Sequence, residues 1–140
     1  MTVTHELANR DLMLKVITAF GAGDLEPLFA ALDDSVVWIS HAPRAYFRFG
    51  GVHKGRTGVR EYTALLFSRY SFSRLEAKSI LAKDEIVCGV FEAEAWYQPS
   101  SRLVRFDIAI RWRVKDGRIV EHQGFFDTAG VLVQQGDIAA

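Results

Sequence analysis

The segment from Arg102 to Gln135 constrains the fold more than any other part of the chain. Its first arm alternates apolar and polar residues at every second position, the pattern of an antiparallel strand with one buried face. A turn is predicted at residues 115–117, a second alternating arm follows it, and Asp127 is placed to cap a terminal helix. The apolar positions of the first arm are Val104, Phe106, Ile108, Ile110, Trp112 and Val114. One face of this hairpin must therefore pack against a core.

The elements before the hairpin are predicted in the order helices first, strands afterwards. Apolar residues recur at helical spacing from Leu12 to Phe20 and again around Leu28, and both patterns end at turn-forming residues. The remaining predictions are a strand from Ser35 to His41, a long loop over residues 42–56, a helix from Thr57, and strands at about 72–82 and 86–97. This order favours a single α+β domain over residues 1–140, with helices packed on one face of a curved sheet.

Composition restricts the partners and the compartment. The chain carries 17 basic and 17 acidic residues, so no overall field attracts nucleic acid. No stretch is apolar over the ~18 residues that a membrane span needs, and the N-terminal residues lack an apolar signal region. We therefore expect a cytoplasmic protein with no membrane partner. The lone Cys88 lies in an apolar run and is expected to be a buried core residue, with a reactive thiol as the alternative.

Cross-strand register predicts two different sheet faces. A tight turn at residues 98–101 places Ala93 beside Phe106 on an apolar face, and Glu94 beside Arg105 on an ionic face. By parity Asp107 belongs to the ionic face, where an ion pair explains it better than catalysis does. A sheet face with complementary charges can pair with itself about a two-fold axis. We therefore expect a homodimer through this face.

Three motifs carry a resemblance to a known superfamily. They are AFGAGDLEPLFAALDDSVVW, HKGRTGVREY and KDGRIVEHQGFFDTAGVLVQQ, and together they span most of the chain. They resemble the superfamily that includes nuclear transport factor 2, ketosteroid isomerase, limonene epoxide hydrolase and the SnoaL-type polyketide cyclases. The resemblance implies a cone-shaped sheet with helices on its concave face, and a homodimer. The resemblance places the catalytic tyrosine and two aspartates of the isomerases at about Val16, Ile39 and Ile110, and the aspartate of the cyclases at about Gly124. None of these four positions carries the catalytic residue of the family's enzymes.

Two histidines are the candidate acid/base groups. His122 lies near the end of the last strand, where the family directs chemistry into the cone, and is the candidate base; a buried structural histidine is the alternative. Desolvation in the cone is expected to lower its pKa. His41 is a second candidate acid or base, with a surface strand end as the alternative. The residues predicted to bind substrate are Trp38, Tyr46, Phe47, Tyr62, Phe106, Ile110, Trp112 and Phe126. Tyr46 and Phe47 belong to the loop after the first strand, which is expected to cover the open end of the cone.

The function classes follow from these groups. The sequence has no cluster at metal-ligand spacing, no phosphate loop and no dinucleotide fingerprint, so no metal or cofactor is expected. One hypothesis is a cofactor-free isomerase, cyclase or dehydratase acting on a small apolar carbonyl compound. The alternative is a non-catalytic module of the same fold, either a binder of small apolar molecules or a dimerisation domain.

Overall fold

The computed structural model describes residues 3–139, apart from the side chain of residue 4, and contains four α-helices and six strands. The helices are α1 (Val3–Gly21), α2 (Glu26–Ala31), α3 (Gly55–Phe67) and α4 (Thr128–Gln135). The strands are β1 (Leu32–Ser40), β2 (Gly51–Lys54), β3 (Tyr70–Lys83), β4 (Ile86–Tyr97), β5 (Arg102–Lys115) and β6 (Arg118–Phe126). The predicted α+β class is confirmed.

The six strands form one mixed sheet in the order β2-β1-β6-β5-β4-β3. Strands β1 and β6 run parallel, and every other neighbouring pair is antiparallel. The sheet stays open, and helix α1 packs on β3 while α3 packs on β1. Because β1 and β6 are adjacent, the first and last strands of the chain together form one wall of the core.

The hairpin that dominates the sequence is present as predicted. Strands β5 and β6 are joined at Asp116 and Gly117, whose positive φ angles of 52° and 75° form the tight turn. Asp127 caps α4, because its Oδ1 accepts a hydrogen bond from the backbone N–H of Gly130 at 3.0 Å. Helix α4 then packs back on β5.

The two faces of the sheet differ as their alternation predicts. We call the face covered by α1 and α3 the inner face; its central residues include Ala93, Ala95, Val104, Ile110 and Trp112, all buried. The opposite side, the outer face, carries Glu94, Arg105, Asp107, Ala109 and Arg111. The predicted register is confirmed, with Ala93 opposite Phe106, Glu94 opposite Arg105, and Glu92 opposite Asp107.

A bulge in β6 decides which of its residues face inward. The sequence places Val120 and His122 on one face because they are two residues apart. In the structure Val114 pairs with Ile119 while Arg113 pairs with Glu121, so Val120 is the extra residue. Ile119 and His122 are buried, and Val120 is only partly buried. The bulge turns Ile119 inward in place of Val120, whereas His122 faces the core with Gly124 and Phe126 by regular alternation.

Three other expectations need correction. Strand β1 begins at Leu32 and ends at Ser40, earlier than predicted, and the predicted loop contains the short strand β2. Residues 51–54 were missed because β2 holds only four residues, two of them exposed. Cys88 is exposed and not buried. It lies on the outer face opposite Arg111, so its apolar neighbours in sequence belong to both faces of the strand.

Candidate functional site

A cavity lies between the inner face of the sheet and the helices. Its volume is about 70 Å³, measured as the space open to the centre of a water molecule. It is lined by Val16, Ile17, Phe20, Leu28, Trp38, Ser40, Phe47, Phe49, Tyr62, Leu66, Tyr70, Phe72, Leu75, Ala93, Phe106, Ile108, Ile110, Trp112, His122, Gly124, Phe126 and Val131. None of these lining residues is an aspartate, glutamate, lysine or arginine. The cavity is therefore an apolar space with a few neutral polar groups.

The size of the cavity limits what it can hold without movement. A cavity needs roughly 10–15 Å³ to admit one water molecule, and this cavity is several times larger. Ligand sites of about 300–1,000 Å³ are common for larger molecules, so a larger ligand would require the walls to move.

The neutral polar groups gather at one end of the cavity, where β1, β6 and α3 meet. The parallel pairing of β1 and β6 sets Trp38 beside His122, and their rings stack at a centroid distance of 3.6 Å with an interplanar angle of 2°. The ring of Tyr62, from α3, lies 5.3 Å from that of Trp38. Ser40 is buried two residues further along β1. This end therefore combines an imidazole, an indole, a phenol and a hydroxyl.

His122 is held between two tryptophans. Its imidazole is only 4% exposed, and its Nδ1 accepts a hydrogen bond from Nε1 of Trp112 at 2.8 Å. Burial lowers the pKa of His122 from 6.5 to about 3, because desolvation disfavours the imidazolium. The predicted location and the predicted direction of the pKa shift are thus both observed. A group with so low a pKa is a weak base at neutral pH, since a general base works best when its pKa lies near the working pH.

Tyr62 and Trp38 contribute further donors. Burial raises the pKa of Tyr62 to about 12, and the nearby Trp38 indole opposes that shift. Tyr62 is therefore a neutral phenol at physiological pH. The Trp38 Nε1–H is buried and makes no hydrogen bond of acceptable geometry with the described residues. A buried donor without a partner is uncommon, and it is satisfied when a ligand supplies an acceptor.

The loop after β1 closes another side of the cavity. Phe47 and Phe49 are buried and line it, with Phe47 packing edge-on against Phe126 at a centroid distance of 5.3 Å. His53 is buried and donates through Nε2 to the carbonyl of Phe49 at 2.7 Å, which fixes the loop. No pattern in the sequence singles out His53, because its role in fixing the loop depends on its contact with the Phe49 carbonyl in the folded chain.

The structure places Tyr46 and His41 away from the cavity. Tyr46 is 56% exposed and is not a lining residue, so the expectation that it faces the cavity is wrong; in this loop the inward positions are Phe47 and Phe49. His41 is exposed on the outer face, where it stacks on Phe125 at 4.3 Å and pairs through Nε2 with Oε1 of Gln123 at 2.9 Å. The strand ends at Ser40, which faces inward, so the next residue faces outward. His41 therefore cannot act with His122 within one site.

The other predicted site residues converge on the cavity. Trp38, Phe47, Tyr62, Phe106, Ile110, Trp112, His122 and Phe126 all line it. Sequence reasoning missed Tyr70, Phe72 and Ile108 as lining residues. The parity of Ile108 with Phe106 and Ile110 was a usable signal, whereas Tyr70 and Phe72 line the cavity because β3 packs on α1, with the rings of Phe72 and Phe20 6.3 Å apart. The Tyr70 hydroxyl donates to Oε1 of Gln135 in α4 at 2.6 Å, which ties α4 to the cavity wall.

Three positions where the family resemblance implies charged or oxyanion-binding residues also line the cavity. They are Val16, Ile110 and Gly124, and all three are uncharged here. Ile39, the fourth position, alternates with the inward-facing Trp38 and Ser40 and is only partly buried. The resemblance places the catalytic residues of the family's acid/base enzymes around this cavity, and the carboxylates are missing here.

Within residues 3–139, no three His, Cys, Asp or Glu side chains come close enough to hold a metal ion. No helix in the described part of the chain has the length and apolar character needed to cross a membrane.

Comparisons with known proteins agree with this architecture. An NTF2-like protein of unknown function from Burkholderia pseudomallei matches with a TM-score of 0.82 at 22% identity, covering 94% of this chain and 98% of that one. A protein with a ketosteroid isomerase-like fold from Catenulispora acidiphila, in complex with trimethylamine, matches with a TM-score of 0.77 at 14% identity, covering 92% and 97%. TerC, co-crystallised with polyporic acid, matches with a TM-score of 0.80 at 18% identity, covering 91% and 98%. The comparison with curated proteins gave no match.

The sequence comparison gives the family. The sequence model of the SnoaL-like domain matches residues 14–122, which run from α1 to His122 and include most of the cavity wall. Together with the shared fold, this match confirms the resemblance seen in the three sequence motifs. The chain belongs to the SnoaL-like domain family, within the NTF2-like and ketosteroid isomerase-like superfamily.

Proposed function

We propose that the protein binds a small, largely apolar carbonyl-type molecule in the cavity between its sheet and its helices. The observation that carries this proposal is the distribution of polar groups: an uncharged aromatic cavity with His122, Trp38, Tyr62 and Ser40 gathered at one end. Apolar walls supply affinity by removing ligand surface from water, and a few polar groups fix the orientation. Two structures of the same fold, TerC and the Catenulispora protein, were each solved with a small molecule.

The absence of charged groups in the site favours binding over proton abstraction. A base that removes a proton next to a carbonyl needs a pKa near the working pH, and His122 has its pKa lowered to about 3. Ile110 and Gly124 stand where the acid/base enzymes of the superfamily carry carboxylates. Binding requires none of these groups to ionise.

A second candidate is a cofactor-independent isomerase, cyclase or dehydratase. The observation that favours it is the presence of neutral donors on His122 and Tyr62, which could stabilise the oxyanion of an enolate. Proton abstraction would then fall to a water molecule or to a basic group of the substrate. His122 and Tyr62 would act as electrophiles and His41, on the outer face, would take no part.

Titration with cyclohexanone tests the binding proposal. We expect chemical-shift changes at residues around the cavity, and saturable binding that Ala93→Leu weakens about tenfold or more by filling the space. Ala64→Leu, at an exposed position of α3, is the matched control and should bind like the wild type. Binding that is absent, or that survives Ala93→Leu unchanged, contradicts the proposal.

Deuterium exchange separates the two candidates. An enzyme of this class should accelerate exchange at the α carbons of cyclohexanone in D₂O, and His122→Gln should slow that exchange by about 10²-fold if His122 stabilises the enolate oxyanion. A binding protein should leave the exchange rate at its value in buffer. The exchange rate in the presence of wild-type protein therefore decides between turnover and binding.

We also propose that the outer face forms a homodimer. Trp96 and Leu103 are paired across β4 and β5 on this face and are 45% and 40% exposed, and Phe125 is 44% exposed on β6. Ion pairs between Arg105 and Glu94 at 2.7 Å and between Lys78 and Asp107 at 3.0 Å lie on the same face. A surface with exposed apolar groups and charges of both signs is suited to self-pairing about a two-fold axis.

A further inference from the structure

The tautomer of His122 follows from its hydrogen bond to Trp112. An indole N–H can only donate, so the Nδ1 that it meets at 2.8 Å must present a lone pair. A neutral imidazole with a free lone pair on Nδ1 carries its proton on Nε2. Burial keeps the ring neutral by lowering the pKa of His122 to about 3. The side chain is therefore a donor at Nε2.

The Nε2–H faces a position that is open because residue 124 is glycine. A β-carbon at Gly124 would lie 3.3 Å from Nε2, tighter than an ordinary contact, and 3.7 Å from Cδ1 of Ile108. Gly124 and His122 both line the cavity, and no acceptor among the described side chains bonds to Nε2. The stacked ring of Trp38, 3.6 Å from the imidazole, prevents the ring from leaving this plane. The donor is thus fixed in direction and left without an acceptor.

A second donor at the same end also lacks an acceptor. The buried Nε1–H of Trp38 lies near the Tyr62 hydroxyl but makes no hydrogen bond of acceptable geometry, and its ring contacts that of His122. A ligand with no acceptor would leave both groups unsatisfied in an apolar space, and a ligand with an acceptor oxygen would relieve at least one of them. Sites that hydrogen-bond a ligand group discriminate against analogues that lack it, because the buried polar partner is then left unpaired.

We propose that Trp112 is a positioning residue that fixes His122 as an Nε2–H donor, and that this donor selects ligands carrying an acceptor oxygen of the ketone, quinone or enolate type at the Gly124 end of the cavity. This inference rests on the proposed ligand-binding function. It assigns His122 the role of donor and gives Trp112 an effect on specificity without contact to the acceptor. The hydrogen bond from Trp112 to His122 sets this selection. If the proton were on Nδ1, the Nε2 atom would present a lone pair to the ligand, and the site would prefer ligands with a donor.

A pair of isosteric probes measures the selection. Cyclohexanone and methylenecyclohexane differ only in C=O against C=CH₂, and we expect the wild type to bind the ketone about tenfold more tightly, the usual scale of one net buried hydrogen bond. Trp112→Phe should reduce this ratio to about twofold, and His122→Phe should reduce it to about one; because both residues line the cavity, the ratio of the two affinities is the measure. Trp96→Phe is the matched control, because it removes an indole from the outer face, and its ratio should equal that of the wild type.

The tautomer of His122 can be measured directly, without any ligand. In ¹⁵N-histidine spectra the wild type should show His122 with a protonated Nε2 and an unprotonated Nδ1, and Trp112→Phe should populate both tautomers. Where Trp112→Phe does not fold, a benzothienylalanine at position 112 keeps the ring shape, removes only the N–H, and should give the same change.

The outcomes distinguish the inference from the function on which it rests. Equal binding of the two probes to the wild type, a protonated Nδ1, or a tautomer unchanged by loss of the Trp112 N–H would overturn the inference and leave ligand binding standing. Failure of both probes to bind would overturn the proposed function and the selection together, whatever the tautomer.

Discussion

The inner and outer faces of the sheet are built from the same strands, but the inner face is apolar and the outer face carries charged side chains. On β5, Val104, Ile110 and Trp112 are buried, whereas Arg105 and Asp107, on the alternate positions, are exposed and form ion pairs. Arg105, assisted by Ser73, lowers the pKa of Glu94, and Asp107 raises the pKa of Lys78, both through hydrogen-bonded pairs open to water. Inside, burial lowers the pKa of His122 and raises the pKa of Tyr62 against a smaller opposing effect of Trp38.

The comparison shows where a polar group has consequences in this fold. Solvent screens the outer pairs, so each contributes little to stability and more to the choice of partner. The inner groups act in a dry space where an unpaired donor is costly, so a ligand that pairs with it gains affinity. Recognition of small molecules is therefore expected on the inner face, and recognition of another protein on the outer face.

A charge moved from one face to the other should give the largest effect. Ala95→Asp places a carboxylate at a fully buried position with no cation beside it, and we expect a loss of about 3–5 kcal/mol in the free energy of unfolding. Ala109→Asp, on the exposed face of β5, should change it by about 0.5 kcal/mol or less. Urea unfolding at two protein concentrations measures both, since a dimer makes the midpoint depend on concentration. Equal losses would contradict the contrast between the faces.

Acid should destabilise the protein through His122. The pKa of this group is about 3 in the folded chain against 6.5 in the reference state, so the unfolded chain binds more protons between those two values. Stability is then complete above pH 6.5 and falls as the pH drops towards 3, with a loss of about 2 kcal/mol between pH 7 and pH 5.

His122→Gln isolates this contribution. The variant should lose stability over the same pH range by about 2 kcal/mol less than the wild type, because glutamine does not titrate. Urea unfolding at pH 5, 6 and 7 gives the difference, and titrations of other groups cancel in it. Parallel pH profiles for the two proteins would show that His122 is not the buried neutral group described above.

Substitutions on the outer face should change assembly with the smallest effect on the monomer. We expect sedimentation at tens of micromolar to show a dimer, and Leu103→Arg to convert it to a monomer by placing a charge beside the exposed Trp96 on that face. Leu7→Arg, on the 51% exposed Leu7 of α1, is the control and should remain dimeric. The unfolding free energy of the monomeric state should change by about 0.5 kcal/mol or less in both. A monomeric wild type removes the proposal.

Much of the fold could be predicted because strand alternation is a local property. The period of two in β5 requires one buried face, the turn at Asp116 and Gly117 requires positive φ angles, and Asp127 provides the helix cap. The register of β4 and β5 then follows from a short connection. These features need only neighbouring residues, and the structure shows all of them.

The site could be predicted only where local alternation continued into it. Phe106, Ile110 and Trp112 follow from the parity of β5, and Tyr62 follows from helical spacing in α3. Tyr46 was misplaced because a loop has no fixed period, so the inward positions are set by contacts such as that of His53 with Phe49. For His41 the alternative, a surface strand end, is the one observed, and alternation with the inward-facing Trp38 and Ser40 already directs it outward.

The sequence by itself determined the two-faced sheet, the order of helices and strands, and the membership of the superfamily, because alternation and turn chemistry act between near neighbours in the chain. The tertiary structure alone decided the chemistry of His122. The parallel pairing of β1 with β6 stacks its ring on Trp38, and β5 brings the indole of Trp112 to Nδ1. These contacts join residues far apart in the chain, so the alternation around residue 122 predicted a buried imidazole but could not specify its partners or its tautomer.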